Sequence, residues 1–146
     1  MSLIINSALG VIRLKLRPDA AAVSVDYYIK LAQQGFFDGI AFYRSDFVIQ
    51  CGVHGLNRKN PLGDLPVNET HQGVKISNTR GTAAIAHFDV PDNGNSEFFI
   101  NLQTNSHLDD VWVPLSCFAP CPHDLTLFPT NCLATPMPLQ CERRSP

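Results

Sequence analysis

Residues Ala41 to Gly52 read AFYRSDFVIQCG, and they decide the fold because two short apolar runs flank one arginine. The second run alternates with the two-residue period of a β-strand. Its predicted faces carry Phe47, Ile49 and Cys51 on one side, and Val48 and Gln50 on the other. We therefore expect Arg44 at the rim of a sheet, where a lone cation beside buried strands is a candidate functional group.

A second stretch supplies two more strands. Residues Asn78 to Asn101 read NTRGTAAIAHFDVPDNGNSEFFIN. Apolar runs predict strands from Thr82 to Ala86 and from Glu97 to Leu102. Between these strands lies a polar loop, whose turn-forming residues are Pro91, Asn93, Gly94 and Asn95.

The chain before residue 41 predicts a hairpin and then a helix. Leu3 to Ile5 and Val11 to Leu16 alternate like paired strands across a turn. From Val23 the period changes to that of a helix. The predicted buried face of this helix carries Val25, Tyr28, Ile29 and Ala32. Ser24 is the candidate N-cap, and Gly35 stands where a left-handed C-terminal cap belongs.

Together these stretches resemble the cyclophilin family of peptidyl-prolyl cis-trans isomerases. The resemblance covers about Leu3 to Asp109. Its motifs, in the family's order, are Phe42 to Arg44 followed by Phe47 to Gly52, then Asn78 to Thr82, Ser96 to Ile100, and His107 to Asp109. The loop between Ala86 and Phe98 is more similar to that of bacterial-type members. The resemblance implies a mainly β fold with a flanking helix, arranged as a cyclophilin-like antiparallel β-barrel.

The resemblance also implies a site in which Arg44 has the catalytic role. The implied substrate-binding residues are Tyr43, Phe47, Val48, Gln50, Ala86, His87, Glu97, Phe99, His107 and Leu108. Of these, the proline pocket would be formed by Phe47, Val48, Phe99 and Leu108, with Gln50 and Glu97 beside the arginine and Ala86 and His87 along the peptide groove. The phenylalanines would also be buried in any other sheet protein, so only their pairing with Arg44 makes them functional candidates.

Several residues depart from the family's pattern. Tyr43 replaces the usual histidine, Val48 replaces methionine, and two residues are missing between Arg44 and Phe47. Glu97 replaces glutamine, and a carboxylate can accept hydrogen bonds but cannot donate them. We expect Glu97 to pair with Arg44 and restrain it, so that Glu97→Gln would raise kcat/KM by about tenfold.

The chain changes character beyond residue 110. Residues 111–146 contain no glycine and no lysine, but they hold seven of the eleven prolines and four of the five cysteines. Because proline removes a hydrogen-bond donor from a strand, we expect at most a strand fragment at 111–115. We predict a cyclophilin-like domain of residues 1–110 and a divergent Pro/Cys-rich tail of residues 111–146. This division leaves open whether the barrel is complete.

Neither cysteine-histidine grouping of the chain has the spacing of a familiar metal site. The two groupings are Cys51 with His54, and Cys117, Cys121 and Cys132 with His123. Structural zinc sites use paired ligands at short, regular spacings, which these groupings lack. We predict no metal and no other cofactor.

The composition limits the location and the partners. A chain of 146 residues with 45% hydrophobic residues has the size of a single core. Its net charge of −2 gives no basic surface for nucleic acid. No apolar run approaches the roughly 18 residues of a membrane span, and the first residues lack the pattern of a signal peptide. Five cysteines, an odd number, fit reduced thiols. We expect a cytoplasmic monomer.

Two functions of different class follow from the sequence. The resemblance implies a peptidyl-prolyl cis-trans isomerase, which speeds the isomerisation of X-Pro bonds and assists protein folding. The alternative is a cyclophilin-like module that binds proline peptides with weak or no turnover, and a third reading is an incomplete barrel without function. The implied partners are proline-containing peptides or proteins and cyclosporin-like cyclic peptides. The chain has no G-x-S-x-G or H-E-x-x-H motif, which argues against a hydrolase.

Overall fold

The structure is a computed structural model, and its strands follow the alternation of the sequence. It describes residues 1–7, 10–53, 58–65, 67–70, 72–87, 94–112, 114–118 and 139–142, with the backbone alone at 115–118 and 139–142. The strands are β1 (Ser2–Ser7), β2 (Gly10–Leu16), β3 (Ala41–Ser45), β4 (Val48–Gly52), β5 (Thr82–His87), β6 (Gly94–Asn101), β7 (Pro114–Phe118) and β8 (Leu139–Glu142). The helix α1 covers Ala22–Gln33, and a short 3-10 turn covers Ser106–Leu108.

The eight strands form one antiparallel sheet in the order β3-β4-β6-β5-β7-β2-β1-β8. The predicted opening hairpin is present as β1 and β2. Within the described ranges, no hydrogen-bonded ladder joins the outer strands β3 and β8. The mainly β fold with a flanking helix is therefore confirmed.

The helix α1 is capped by a side chain from a distant loop. The carboxylate of Glu69 accepts hydrogen bonds from the backbone N–H of Val23 (3.1 Å) and Ser24 (2.8 Å) and from the Ser24 hydroxyl (2.6 Å). The prediction that Ser24 is the N-cap is wrong, because α1 begins earlier, at Ala22. A carboxylate at this end also interacts favourably with the helix dipole. Glu69 thus holds its own loop against the helix.

The predicted C-terminal cap of α1 is confirmed. Gly35 has φ +66°, a left-handed conformation that glycine adopts without steric cost. The N–H of Phe36 donates to the carbonyl of Leu31, and the N–H of Gly35 donates to that of Ala32, both at 3.1 Å. These two hydrogen bonds define a Schellman motif, so α1 ends here.

The main core packs α1 against the sheet. All residues of the predicted helix face are buried, namely Val25, Tyr28, Ile29 and Ala32. Tyr28 stacks on Phe37 and meets Phe98 of β6 edge-on. The same apolar cluster reaches from Leu3 on β1 to Phe42 on β3, near opposite ends of the strand order. The sheet must therefore be strongly curved.

A second, smaller apolar cluster lies across the sheet from the main core. Its buried members are Val48, Ala84, Phe99 and Leu108, and Phe47, Ala86 and Trp112 pack against them. The prediction that Phe47 shares a face with Ile49 and Cys51 is wrong. Strand β4 begins only at Val48, so Phe47 lies in the preceding bend and its ring joins the smaller cluster.

Two strands come from the part of the chain beyond residue 110. Strand β7 pairs with both β5 and β2, and β8 pairs with β1. Pro114 is the first residue of β7, a position where strands tolerate proline. The division of the chain at residue 110 stays a prediction.

The loop between β5 and β6 differs from its prediction at one end. Gly94 and Asn95 belong to β6, whereas Pro91 and Asn93 lie outside the described residues. Gly94 also forms an isolated bridge with Leu65. Of the helices in the described residues, none combines the length and the apolar character that crossing a membrane requires.

Candidate active site

A cavity of about 440 Å³ opens on the face of the sheet that carries the smaller apolar cluster. It is lined by Arg44, Phe47, Val48, Gln50, Ala86, His87, Phe99, His107, Leu108 and Trp112. Alternation along β4 explains the arrangement, because Val48 and Gln50 line the cavity while Ile49 packs into the main core. The structure thus brings together every predicted site residue except Tyr43 and Glu97, and it adds Trp112.

A β-bulge in β3 directs two consecutive side chains toward this face. Phe42 pairs with Cys51 and Arg44 pairs with Gln50, so Tyr43 is the extra residue. A bulge places two residues opposite one and changes the direction of their side chains. As a result Phe42 packs into the main core, while Tyr43 and Arg44 both hydrogen-bond to Gln50.

Arg44 is held on two sides and stacks on an aromatic ring. Its Nε donates to Oδ2 of Asp46 at 2.9 Å, and its Nη1 donates to Oε1 of Gln50 at 3.2 Å. Its guanidinium carbon lies 5.2 Å from the centroid of the Phe47 ring, within the range of a cation–π contact. Among the described residues, no acceptor contacts Nη2. This edge of the guanidinium is therefore available to a ligand.

A chain of three hydrogen-bonded side chains continues behind Arg44. Nε2 of Gln50 donates to the hydroxyl of Tyr43 at 2.6 Å, and that hydroxyl donates to Oε2 of Glu97 at 2.7 Å. Burial, followed by the hydrogen bond to Glu97, raises the pKa of Tyr43 well above its usual value. The phenol therefore keeps its proton at neutral pH.

Glu97 does not pair with Arg44 as expected, because the carboxylate partner of Arg44 is Asp46. Gln50 stands opposite Phe99 in the register of β4 and β6, so Glu97 lies two positions away, against Gly52. A Cβ atom added at Gly52 would lie 2.2 Å from the carboxyl carbon of Glu97. A glycine there makes room for the carboxylate, and Tyr43 and Gln50 link it to Arg44.

The apolar floor of the cavity comes from three elements. Val48 on β4 is 2% exposed, Phe99 on β6 is 5% exposed, and Leu108 in the 3-10 turn is 7% exposed. Phe47 is half-buried beside them, and its ring lies 5.7 Å from that of His107 at the cavity edge. This floor suits a small apolar ring more than a charged group.

A network of buried amides fixes the segment that carries the cavity residues 106–108. Nδ2 of Asn101 donates to Oδ1 of Asn78 at 3.1 Å and to the hydroxyl of Thr82 at 2.9 Å, and Oδ1 of Asn101 accepts from Nδ2 of Asn105 at 2.7 Å. The N–H of Asn105 donates to the carbonyl of Asn78 at 2.8 Å. The three asparagines are at most 1% exposed. The floor of the cavity is therefore held by hydrogen bonds as well as by packing.

His87 and Trp112 form one wall of the cavity. Their rings stack at 5.3 Å, and Nε2 of His87 donates to the carbonyl of Val111 at 2.9 Å. The sequence does not predict Trp112 as a site residue, because residues 111–115 are predicted as a strand fragment of the tail. A signal was present, since this is the single tryptophan of the chain and it follows Leu108 by one helical turn.

The part of the chain that the structure describes contains no group of three or more histidine, cysteine, aspartate or glutamate residues placed to hold a metal ion. His54 and the group of Cys121, His123 and Cys132 lie outside the described residues, as does the side chain of Cys117. Cys51 is 2% exposed, and its burial raises the pKa of the thiol well above the usual range. This thiol is therefore protonated and unreactive at neutral pH.

The sequence and the fold agree with one known family. A family model described as "Cyclophilin type peptidyl-prolyl cis-trans isomerase/CLD" matches residues 1–119. The chain belongs to the cyclophilin family. The match includes β7, so the similarity inferred from the motifs up to Asp109 continues into the first strand of the predicted tail.

Several relatives of this cyclophilin are named peptidyl-prolyl cis-trans isomerases. The one from Acinetobacter baylyi is 35% identical over 69% of this chain and 54% of its own length. Isomerase B of Escherichia coli is 33% identical over 68% of this chain and 62% of its own length. Isomerase B of Bacillus subtilis is 37% identical over 68% of this chain and 70% of its own length. The cyclophilin described here thus spans little more than half the length of the first of these relatives.

Solved cyclophilins share the fold at low sequence identity. A cyclophilin of Cryptosporidium parvum, crystallised in the presence of the dipeptide Ala-Pro, superposes with a TM-score of 0.77 at 16% identity, covering 99% of this chain and 100% of its own. A cyclophilin from Hirschia baltica gives a TM-score of 0.72 at 17% identity, and the match covers 80% of this chain and 63% of the Hirschia chain.

Proposed function

We propose that this cyclophilin is a peptidyl-prolyl cis-trans isomerase that speeds the isomerisation of X-Pro bonds and so assists protein folding. The observation that carries the proposal is the placement of Arg44 at the rim of a cavity whose floor is apolar. A cation with an available donor edge beside a pocket for a small ring is what this reaction needs. The names of the relatives support the same activity.

The chemistry requires no bond to be broken. Amide resonance sets a barrier of about 18–20 kcal/mol to rotation, whereas the two isomers of an X-Pro bond differ by only about 0.5–1 kcal/mol. A hydrogen bond to the prolyl nitrogen stabilises the twisted amide, in which that nitrogen is pyramidal, more than the planar ground state. Catalysis therefore needs one positioned donor, and we propose no metal or other cofactor.

In the proposed mechanism the proline ring packs on the apolar floor formed by Val48, Phe99 and Leu108. The Nη2 edge of Arg44 donates to the prolyl nitrogen as the amide twists. Asp46 and Gln50 hold the guanidinium, so little side-chain entropy is lost when it engages the substrate.

The remaining wall residues would bind the peptide on either side of the proline. We propose that Ala86 and His87 on β5 contact the peptide backbone and that His107 and Trp112, which also line the cavity, contact the residues beside the proline. Contacts of Tyr43 and Glu97 with the substrate stay predictions, because the cavity lining described above does not include either residue.

The proposed ligands are proline residues within peptides or proteins. A cavity of about 440 Å³ is within the range of about 300–1,000 Å³ typical of small-molecule sites. Cyclosporin-like cyclic peptides are proposed as competitors for the same floor. A cyclic peptide loses less conformational entropy on binding than the corresponding linear peptide.

Trp112 should report binding, because it is the single tryptophan and it lines the cavity. Titration with a short peptide containing one Ala-Pro bond is expected to shift or quench its fluorescence in a saturable manner. The same peptide with alanine in place of proline is the control and should produce no saturable change. Equal responses to the two peptides would contradict a proline-specific cavity.

We also propose that the sheet closes into a barrel and that the domain extends through β7. The main apolar cluster, which reaches from β1 to β3, supports closure of the barrel. The position of β7 between β5 and β2, together with the family match over residues 1–119, supports including β7 in the domain. In native-state hydrogen exchange, we expect the amides of β7 to be as protected as those of β5. If the sheet closes, the β3 amides that point away from β4 should be protected as well as those that point toward it. Rapid exchange of alternate β3 amides would indicate an open edge.

The monomeric state and the cytoplasmic location are proposals that rest on the sequence. The odd number of cysteines supports a reducing compartment. The net charge of −2 argues against a polyanionic partner such as nucleic acid. Light scattering of the purified chain should give the mass of one chain, 16.1 kDa.

A further inference from the structure

We propose that Tyr43 and Glu97 are positioning residues that fix the orientation of Arg44 through Gln50. The inference rests on the proposed role of Arg44 in isomerisation. It concerns two positions at which this chain departs from the family's pattern, and it assigns them a joint role away from the substrate. In each hydrogen-bonded pair of this network, the identity of the donor atom fixes the orientation of the next side chain.

Glu97 determines which group donates in each hydrogen bond of the network that links it through Tyr43 and Gln50 to Arg44. An ionised carboxylate has no proton to donate. In the 2.7 Å contact with Oε2 of Glu97, the hydroxyl of Tyr43 must therefore be the donor. A phenol has one proton, so its oxygen can only accept in its second contact.

The second contact determines the orientation of Gln50. The hydroxyl oxygen of Tyr43 accepts from Nε2 of Gln50 at 2.6 Å. The amide oxygen of Gln50 must then point the other way, toward Nη1 of Arg44, which donates to it at 3.2 Å. If the amide were reversed, its NH₂ group would face the guanidinium, which consists only of donors.

The orientation of Gln50 matters because it supplies one of the two anchors of Arg44. Asp46 holds Nε and Gln50 holds Nη1, which leaves the Nη2 edge for a ligand. Without Gln50, the Nη1 group would lose its acceptor, and the contacts with Asp46 and the Phe47 ring would leave a partly exposed arginine able to sample other rotamers. The network therefore contributes to the placement of the donor, and its loss should lower turnover more than binding.

The far end of the network is held in place by close packing. The carboxylate of Glu97 occupies the space that a side chain at Gly52 would fill, since a Cβ there would lie 2.2 Å from the carboxyl carbon. A methyl group at this position would displace the carboxylate without removing any atom of the network. Gly52→Ala is thus an independent way to disturb Glu97.

Tyr43→Phe removes the central hydroxyl and is the main test. By NMR exchange spectroscopy at saturating Ala-Pro peptide, we expect kcat to fall by about tenfold, while the peptide dissociation constant changes by less than about twofold. The side-chain NH₂ signals of Gln50 should shift in ¹H–¹⁵N spectra. Tyr27→Phe is the matched control, because the Tyr27 hydroxyl also accepts from an amide, that of Asn60, and donates to an oxygen, that of Gly63. It should leave kcat unchanged.

Two further variants test the positioning role if Tyr43→Phe does not fold. A glutamine at position 97 can both donate and accept, so Glu97→Gln no longer forces Tyr43 to be the donor, and kcat should fall by about threefold. The sequence alone suggested instead that kcat/KM would rise by about tenfold. Gly52→Ala should lower kcat by a similar factor. A double variant of Tyr43→Phe and Glu97→Gln should be no slower than Tyr43→Phe alone, because both act through Gln50.

The outcomes separate this inference from the proposed function. If Arg44→Ala abolishes activity while Tyr43→Phe and Glu97→Gln keep the parent kcat, the positioning role is wrong and the isomerase proposal stands. If the parent chain is inactive, or Arg44→Ala keeps full activity, the proposed function itself fails. A rise in kcat for Glu97→Gln would also overturn the positioning role.

Discussion

Replacing Arg44 with alanine is expected to lower kcat/KM for a proline peptide by two to three orders of magnitude, about 3–4 kcal/mol of transition-state stabilisation. The guanidinium provides the proposed donor to the prolyl nitrogen, and no other cavity-lining residue named above is an arginine or a lysine. Peptide binding should weaken only modestly, since the floor formed by Val48, Phe99 and Leu108 remains.

The measurement is the isomerisation rate at several peptide concentrations, which separates kcat from KM. Arg13→Ala is the matched control, because Arg13 lies on β2 and does not line the cavity. It should leave both parameters unchanged. An Arg44→Ala variant with the parent rate would show that Arg44 is not the catalytic residue.

Asn101→Ala is expected to destabilise the fold by about 3 kcal/mol, a large fraction of the stability of a small domain. The side chain of Asn101 is 0% exposed, and its removal leaves the amide oxygen of Asn78, the hydroxyl of Thr82 and the amide NH₂ of Asn105 without this partner. Buried polar groups that lose a partner incur most of their desolvation cost. Urea denaturation, followed by circular dichroism, measures the free energy of unfolding.

The control for this prediction is Gln103→Ala in the same segment. Gln103 is exposed and donates one long hydrogen bond of 3.3 Å to Asn105, so its loss should change the free energy of unfolding by less than about 0.5 kcal/mol. Equal effects of the two substitutions would mean that the buried amide network does not hold the cavity floor. Proline-peptide affinity of Asn101→Ala, measured well below its melting temperature, should also fall because Leu108 is less firmly held.

Much of the fold could be predicted from the sequence, because strand alternation and helical periodicity are local properties. The hairpin of β1 and β2, the buried face of α1 and its Gly35 cap depend on neighbours within a few residues, and they were predicted. The cap at the other end of α1 was missed, since Glu69 lies 45 residues beyond Ser24 in the chain. No local pattern identifies a partner at that separation.

Most residues that line the cavity were predicted from the sequence, but the positions of Phe47 and Glu97 were not. Strand register explains the difference. Motif similarity placed Arg44 and the apolar floor in one cavity, as the structure shows. The start of β4 at Val48 moved Phe47 to the cavity side, and the bulge at Tyr43 with the register of β6 separated Glu97 from Arg44. These displacements of one or two residues depend on pairing between strands, which periodicity within one strand does not specify.

Composition alone gave little information about strands beyond residue 110, because the effect of a proline depends on its position in a strand. The seven prolines beyond residue 110 predict at most a strand fragment at 111–115, yet β7 covers Pro114–Phe118 and pairs on both sides. Pro114 is the first residue of this strand, a position that tolerates proline. Trp112, just before β7, was assigned to the tail for the same reason, although it lines the cavity.

The most direct test of the isomerase proposal is NMR exchange spectroscopy on a peptide with one Ala-Pro bond, with the parent chain present in substoichiometric amount. Uncatalysed exchange between the two isomers takes tens to hundreds of seconds. The proposal predicts exchange cross-peaks at mixing times well below one second, and their loss when Arg44 is replaced with alanine. Peptide signals that shift on binding while the exchange rate stays at its uncatalysed value would contradict the proposal and identify a proline-binding module.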